Sequence, residues 1–368
     1  MTRIAIDARK YFDYGIGSYI QDLASALSSM QTSHSYRLLA SSSDLERISA
    51  PAGWRKERCE YGKYSIGEIA WMGRSVRRSG IDLLHVPHYT LPIGLRGKSV
   101  VTIHDLIHLK LPQLFSPVQR MYAATMIRHA VQHAGAVIAV SQKTKDDILE
   151  RFGASDDCVH VVHNGIRPTF RKLTDVTEIT SFRTTHGLQK PFVLYVGNVK
   201  PHKNIPTLLR AFNIVRRRLP DMELAFAGGS CLRNTELNAL SQQLGIKSSI
   251  RDLDQLSEPD LIAAYNGAEV LVLPSLYEGF GFPALEAMAC GTPVVVSNGG
   301  ALPEVVGDAA IVVDAMQHEQ FAAEIIELME DSGKRLHMTQ MGHSRAAGFS
   351  WTKAGEQTMR IYEEVLSR

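Results

Sequence analysis

The sequence predicts an α/β protein built from two doubly wound parallel-sheet domains, and three observations carry that reading. The 368 residues suit two domains of roughly 100–200 residues each. Short runs rich in Val, Ile and Ala alternate with helical patterns, and the alternation occurs twice along the chain. Most of these runs are apolar on both faces, as strands covered by helices on both sides of a parallel sheet must be.

The elements follow in chain order. The first half offers strands at RIAIDA, YRLLA, IDLLHV, SVVTIHD, AVIAVS and VHVVHN. The second half offers FVLYVGN, ELAFAGG, SSIRDL, EVLVLPS, PVVVSN and AAIVVD. Amphipathic patterns such as IPTLLRAFNIVRRRLP and PDLIAAYNGA supply helices between them. Residues 167–190 are polar and largely lack strand pattern, so the linker is placed there. The domains then run over 1–166 and 167–350, with a last helix at 351–368 that begins near WTKAGEQ.

Composition narrows the class. The chain is 45% hydrophobic and 21% charged, as soluble globular proteins are. No run approaches the ~18 apolar residues of a membrane span, and no secretory leader pattern precedes Arg3. Cys59, Cys158, Cys231 and Cys290 are scattered without a CxxC pair. A reduced, cytoplasmic protein is expected. Residues 1–166 hold 20 Lys+Arg and 15 Asp+Glu, a net +5, whereas residues 167–368 hold 20 and 23, a net −3. The basic half includes RKER at 55–58 and Arg74, Arg77 and Arg78. Either these form a solvated surface, or they face anionic lipid or an anionic acceptor.

In open parallel sheets ligands bind beyond the carboxyl ends of the strands. Polar residues and glycines sit at those ends here: Asp7 and the loop DYGIGSY, His104-Asp105, Ser141, Asn164-Gly165, Gly197-Asn198, Gly228-Gly229 and Pro274-Ser275. With the domains facing each other, these ends would line one cleft. The stretch 274–298, PSLYEGFGFPALEAMACGTPVVVSN, carries two acids, Glu278 and Glu286, with nothing charged between them. EVLVLPS reads as a strand and PALEAMACG as a helix with Pro283 in its first turn, where a missing N–H costs nothing. Glycines in YEGFGF let a ligand approach backbone N–H groups, and a helix start attracts anions. The stretch can therefore hold a phosphate. Flanking carboxylates would be repelled by phosphate but suit sugar hydroxyls. On spacing alone, Glu286 could equally complement the helix dipole and Glu278 be a surface loop residue.

At EGFGFPALE the chain resembles the retaining glycosyltransferases of family 4, the group 1 glycosyl transferases. The likeness continues through EAMACGTPVVVSNGGALPEVVGDAA, IDARKYFDYGIGSYIQDLASAL, VTIHDLIHL, AVSQKTKDDILERFG, VVHNGI and YVGNVKPHKNIPTLLRAF, in the family's order. It implies the GT-B fold, two Rossmann-like domains facing a central cleft that takes a nucleotide sugar, with no essential metal and no cofactor beyond that substrate. It implies that 1–166 is the acceptor side, that 167–350 binds the donor and that the last helix returns to the first domain.

Residue by residue, the resemblance places Glu286 on the ribose hydroxyls, Glu278 beside the transferred sugar, and the amides of Gly279, Phe280, Gly281 and Phe282, with Leu285, in the donor site. Lys203 would neutralise the diphosphate. An arginine common after the VG pair is replaced by Asn198, leaving Lys200 or Arg233 as candidates for a second positive charge. His104 would reach the donor sugar, and Gly15 and Gly17 would form a glycine loop closing on the diphosphate. Backbone near Gly228, Gly229 and Asp252–Asp254 would meet the base. YVGNVKPHKN most resembles bacterial mannosyltransferases of surface polysaccharides, so GDP-mannose is the expected donor and a UDP-sugar the alternative. The expected acceptor is a saccharide or lipid-linked saccharide, with peripheral contact at the cytoplasmic membrane face and no nucleic-acid partner.

Rival signals are weaker. Asp252-Leu253-Asp254 spells DxD, a metal motif of a different glycosyltransferase fold, but sits at a strand end in the wrong half. His129 and His133 have the i, i+4 spacing of a zinc pair but no third ligand in view. GIGSY lacks the third glycine of a dinucleotide fingerprint, because residue 20 is Ile. An epimerase would lack the paired glutamates, and a phosphorylase would need a longer chain. A non-catalytic nucleotide-sugar sensor would bind donor and release no nucleoside diphosphate.

Overall fold

A computed structural model of the chain describes residues 2–62, 72–95 and 97–368. It divides into two compact units, Met1–Gly165 with Ser350–Arg368, and Ile166–Phe349. The first unit holds a parallel sheet of seven strands: β1 (Arg3–Asp7), β2 (Ser35–Ala40), β3 (Arg55–Arg58), β4 (Leu83–Val86), β5 (Ser99–Ile103), β6 (Ala136–Ala139) and β7 (Val159–Val161), in the order β3-β2-β1-β4-β5-β6-β7. The second holds six parallel strands: β8 (Phe192–Val196), β9 (Glu223–Ala227), β10 (Ile250–Asp252), β11 (Val270–Leu273), β12 (Val294–Ser297) and β13 (Ile311–Val313), in the order β10-β9-β8-β11-β12-β13. Both orders run outward in two directions from a first strand, the doubly wound arrangement. The central strands β4, β5, β6, β11 and β12 are buried along their whole length, which is why they read as unbroken apolar runs.

Two expectations are corrected. RKER is a seventh strand of the first sheet, with Arg55 to Arg58 in register with Arg37 to Ala40. It escapes pattern reading because it is an edge strand with no apolar alternation, and its charges deter further pairing along the open edge. Residues 167–190 are not a free linker. Asp175 caps helix Val176–Thr185 through a 2.8 Å bond from the Thr177 N–H, and Phe182 is buried. Arg167 pairs with Glu258 at 2.5 Å, and the Leu173 N–H donates to Asn266 at 2.8 Å. The segment reads as polar because Phe182 is the one fully buried side chain of its helix, with Ile179 and Arg183 half-buried and the others exposed.

The last helix, Trp351–Ser367, belongs to the first unit and packs on helix Tyr14–Ser28. Its buried face comprises Trp351, Ala354, Gly355, Thr358, Met359, Ile361, Tyr362 and Val365, the helical spacing of an amphipathic stripe. Helix Tyr14–Ser28 also corrects the expected glycine loop: Gly15 and Gly17 lie in its first turn. Gly17 is there because a Cβ would lie 2.4 Å from the Tyr11 carbonyl oxygen, so the chain entering the helix can turn tightly only over a bare Cα.

At the carboxyl end of β1 lies a buried ion pair. Arg9 donates to both oxygens of Asp7, Nε at 2.9 Å and Nη2 at 2.5 Å, and its Nη1 reaches the Tyr61 carbonyl at 3.0 Å. Both side chains are nearly inaccessible. Arg9→Met strands the Asp7 carboxylate and is expected to cost about 3–5 kcal/mol in urea denaturation, with the added Asp7→Asn change recovering part of the loss.

Candidate active site

The second unit assembles most of the candidate residues through the turn that follows β8. Pro201–Lys203 forms a 3-10 turn that ends at Asn204 with φ +55°. Asn204 is buried; its amide donates to the carbonyls of Pro274 at 3.0 Å and Ala315 at 2.7 Å. The Leu276 N–H donates to the His202 carbonyl at 2.8 Å. These bonds pin 200–204 to the segment following β11, so that Lys203 Nζ meets Glu278 Oε1 at 2.6 Å. The Ser275 hydroxyl donates to the same oxygen at 2.6 Å. The two charged side chains keep 17% and 16% exposure. Burial pushes the Glu278 carboxyl up, but the charge and hydrogen bond of Lys203 and the bond from Ser275 outweigh it and hold the group below its ordinary value.

Glu278 is fixed through its backbone as well. It bridges to Gly300, and the Ala301 N–H donates to its carbonyl at 2.8 Å. Gly300 has φ +66°, and a Cβ there would fall 2.2 Å from that carbonyl oxygen, so this contact requires glycine.

The turn then rises into helix Phe282–Ala289. Gly281 is its N-cap at φ +104° and has no side chain to cap it, Pro283 lies in the first turn, and the Ala284 N–H donates to the Gly281 carbonyl at 3.1 Å. Such a terminus is an anion-binding element. Phe280 is buried edge-on to Phe282 and Phe349, at 5.3 and 5.9 Å between ring centroids. Leu285 is fully buried, so its side chain is core and not a ligand contact, a correction to its expected place in the donor site. Glu286, on the same helix, accepts a 2.7 Å bond at Oε2 from the buried Tyr265 hydroxyl.

The ends of β8, β9 and β10 meet alongside. Gly197 and Gly228 have φ +148° and +89°, and a Cβ on Gly229 would sit 3.1 Å from the Asn198 Cα. The Asp252 carboxylate accepts from the Ser230 hydroxyl at 2.5 Å and from the N–H groups of Cys231 and Leu232, each at 2.9 Å. Its side chain thus builds the loop after β9. Arg233 forms an ion pair with Asp254, and Lys200 is exposed. Of the two candidate second cations, Arg233 already has a counter-ion. Asn198 turns its carbonyl to the Tyr195 hydroxyl at 2.7 Å. Among the described residues no group of three or more His, Cys, Asp or Glu side chains could hold a metal ion. His129 and His133 stack on each other at 4.5 Å.

The first unit holds the remaining candidates, His104, Gly15 and Gly17. His104 follows β5, and its Nε2 lies 3.1 Å from the Pro87 carbonyl. A carbonyl only accepts, so Nε2 carries the proton. Burial drives the imidazole pKa down to about 4, and His104 is neutral at pH 7.

Sequence reasoning named Ser275 only as a strand-end residue and missed Asn204 and Tyr265. Asn204 closes KPHKN with the residue type that best tolerates left-handed backbone after glycine. Tyr265 gave no signal, since a tyrosine in an amphipathic helix reads as core.

Comparison with known proteins agrees with this architecture. Residues 14–170 match the family described as Glycosyltransferase Family 4, and residues 176–345 match Glycosyl transferases group 1. The O-antigen chain mannosyltransferase B of Escherichia coli is 30% identical over 285 residues, covering 76% of this chain and 74% of that protein. A D-inositol 3-phosphate glycosyltransferase of Corynebacterium jeikeium is 29% identical over 315 residues, covering 81% and 70%. The solved sucrose-phosphate synthase of Thermosynechococcus elongatus superposes with a TM-score of 0.80 at 20% identity, covering 100% of both chains. Fold and site thus define an enzyme of the GT-B glycosyltransferase class. The chain belongs to the group 1 glycosyl transferases, family 4.

The Lys203–Glu278 pair has a pH signature. Because the folded-state pKa of Glu278 is depressed, the pair contributes stability above the ordinary value of 4.5 and loses it as pH falls through the lower folded value. Lys203→Met removes the charge and hydrogen bond that chiefly offset burial at Glu278 and leaves the Ser275 hydroxyl as its remaining donor. At pH 7 the variant is expected to lose about 2–4 kcal/mol, somewhat less than a fully buried pair would. The gap to the unsubstituted protein should shrink as pH drops below 4.5, when Glu278 becomes neutral in the variant first. Urea denaturation at pH 7 and pH 4 measures both.

Proposed function

We propose that this glycosyltransferase transfers a hexose from a nucleotide sugar, with retention and without a metal, to a saccharide or lipid-linked saccharide. The observation that carries the reading is the meeting of Lys203, Ser275 and Glu278 in the turn before a helix whose N-cap is the glycine Gly281. A nucleoside diphosphate leaving group needs fixed positive potential where its charge develops. One ammonium and a helix N-terminus provide it, and preorganised donors of this kind are worth about 3–4 kcal/mol each.

In this reading the diphosphate lies against the amides of Gly279 to Phe282 and shares Lys203 with Glu278, and Glu278 borders the transferred sugar. Glu286, one of whose oxygens is oriented by Tyr265, accepts from the ribose hydroxyls, and the backbone around Gly228 and Gly229 meets the base. The bond from the anomeric carbon to the phosphate oxygen breaks as the acceptor oxygen bonds on the same face, and the acceptor proton passes to the departing phosphate. The carboxylate of Glu278 steadies the oxocarbenium-like centre. His104, neutral and accepting through Nδ1, serves a sugar hydroxyl.

The likeness of YVGNVKPHKN to bacterial mannosyltransferases and the similarity to an O-antigen chain mannosyltransferase favour GDP-mannose over a UDP-sugar. The net +5 of residues 1–166 and the family's lipid-linked acceptors support peripheral binding at the cytoplasmic membrane face. Among the described residues no helix is long and apolar enough to cross a membrane.

The donor is tested by thermal shift against GDP-, UDP- and ADP-sugars: GDP-mannose should stabilise most, and stabilisation by a UDP-sugar alone overturns the choice of base. Glu286→Ala should weaken donor binding in calorimetry by about 1–3 kcal/mol. Turnover in excess EDTA should match turnover without it; strict dependence on a divalent cation would remove the helix-and-lysine account.

A further inference from the structure

A string of hydrogen bonds runs through the core of the first unit and ends beside His104. The Tyr362 hydroxyl, on the last helix, lies 2.5 Å from His85 Nδ1 on β4. His85 Nε2 lies 2.7 Å from the Thr102 hydroxyl on β5, and Thr102 lies 2.9 Å from the Tyr19 hydroxyl on helix Tyr14–Ser28. All four side chains are at most 2% exposed. The ring of Tyr19 then stands edge-on to His104, 4.9 Å between centroids at 88°, and to Trp351 at 5.8 Å.

Four polar side chains in an apolar core are costly unless mutually satisfied, and satisfied networks of this kind specify one arrangement. This one joins four elements. Two of them carry candidate active-site residues: helix Tyr14–Ser28 begins with Gly15 and Gly17, and β5 runs directly into His104. The contact at its end is with His104, which directly follows β5.

We infer that Tyr19 is a positioning residue for His104, its hydroxyl tethered by Thr102 and its ring closing one side of the imidazole, so that His104 keeps its Nε2 proton on Pro87 and presents Nδ1 as an acceptor. Tyr362 and His85 hold Tyr19 in place from behind, which gives the last helix a part in active-site geometry. Other titratable groups facing His104 are Lys10 after β1, and His85 and His88 on and after β4. Burial favours the neutral form of both His85 and His88, leaving Lys10 as the charged one at pH 7. The inference rests on the proposed role of His104 only for its effect on turnover, not for the geometry itself.

The test uses the full chain labelled with 15N and the long-range proton–nitrogen spectrum of its histidines, with His104 assigned by its loss in His104→Asn. The unsubstituted protein should show the Nε2–H tautomer. Tyr19→Leu should shift the His104 nitrogens toward tautomer averaging and lower kcat by about 10- to 100-fold, with a smaller change in the donor KM. Tyr19→Phe and Tyr362→Phe keep the packing, should show the same displacement to a smaller degree, and carry the test if the leucine variant does not fold. Unchanged His104 signals in a folded variant overturn the inference. Altered signals with unchanged turnover uphold it and instead remove His104 from the reaction.

Discussion

The ion pair between Lys203 and Glu278 is the constraint around which the second unit is arranged. A carboxylate in a glycine-rich turn between a buried strand and a buried helix is not tolerated without a positive partner. That partner comes from 75 residues earlier in the chain, and bringing it there takes a left-handed Asn204, two hydrogen bonds from its amide, and a backbone bond from Leu276 to His202. Gly300 makes room for the Glu278 backbone from the other side. The same features hold the pair in the turn that leads into helix Phe282–Ala289. In the proposed reaction, a phosphate that drew on Lys203 would do so against the carboxylate that Lys203 stabilises.

The first unit solves a different problem. Its candidate group is a neutral imidazole, and neutrality follows from burial. A neutral histidine is useful only in one tautomer and one orientation. The Pro87 carbonyl selects the tautomer, and the Tyr19 ring packs edge-on against the imidazole while its hydroxyl is tied to Thr102, His85 and Tyr362 in turn. The last helix thereby contributes polar anchoring as well as the apolar stripe that its sequence advertises.

Much of this was legible in the residues. Twelve of the described strands were legible in the residues, most clearly the central ones, which read as apolar runs because they are buried on both faces. Glu278 and Glu286 stood out because nothing charged lies between them in a glycine-rich stretch, whereas Lys203 was named only through the family resemblance. RKER hid as a strand because edge strands are held by backbone bonds that side-chain pattern does not report. The helix at Val176–Thr185 hid because a single phenylalanine anchors it. Gly15 and Gly17 suggested a loop, yet both lie in a helix, and the close approach of Tyr11 makes glycine necessary at Gly17.

The sequence by itself determined the fold class, the succession of strands and helices, and the chemical types gathered at the strand ends, because periodicity and local backbone preference are properties of neighbouring residues. Only the tertiary structure decided partnership: that Lys203 holds Glu278, that Tyr265 orients Glu286, that Arg233 is engaged with Asp254, and that Leu285 is core. The three pairings join residues 21 to 75 positions apart, and their energies depend on distance and burial, neither of which a linear pattern encodes.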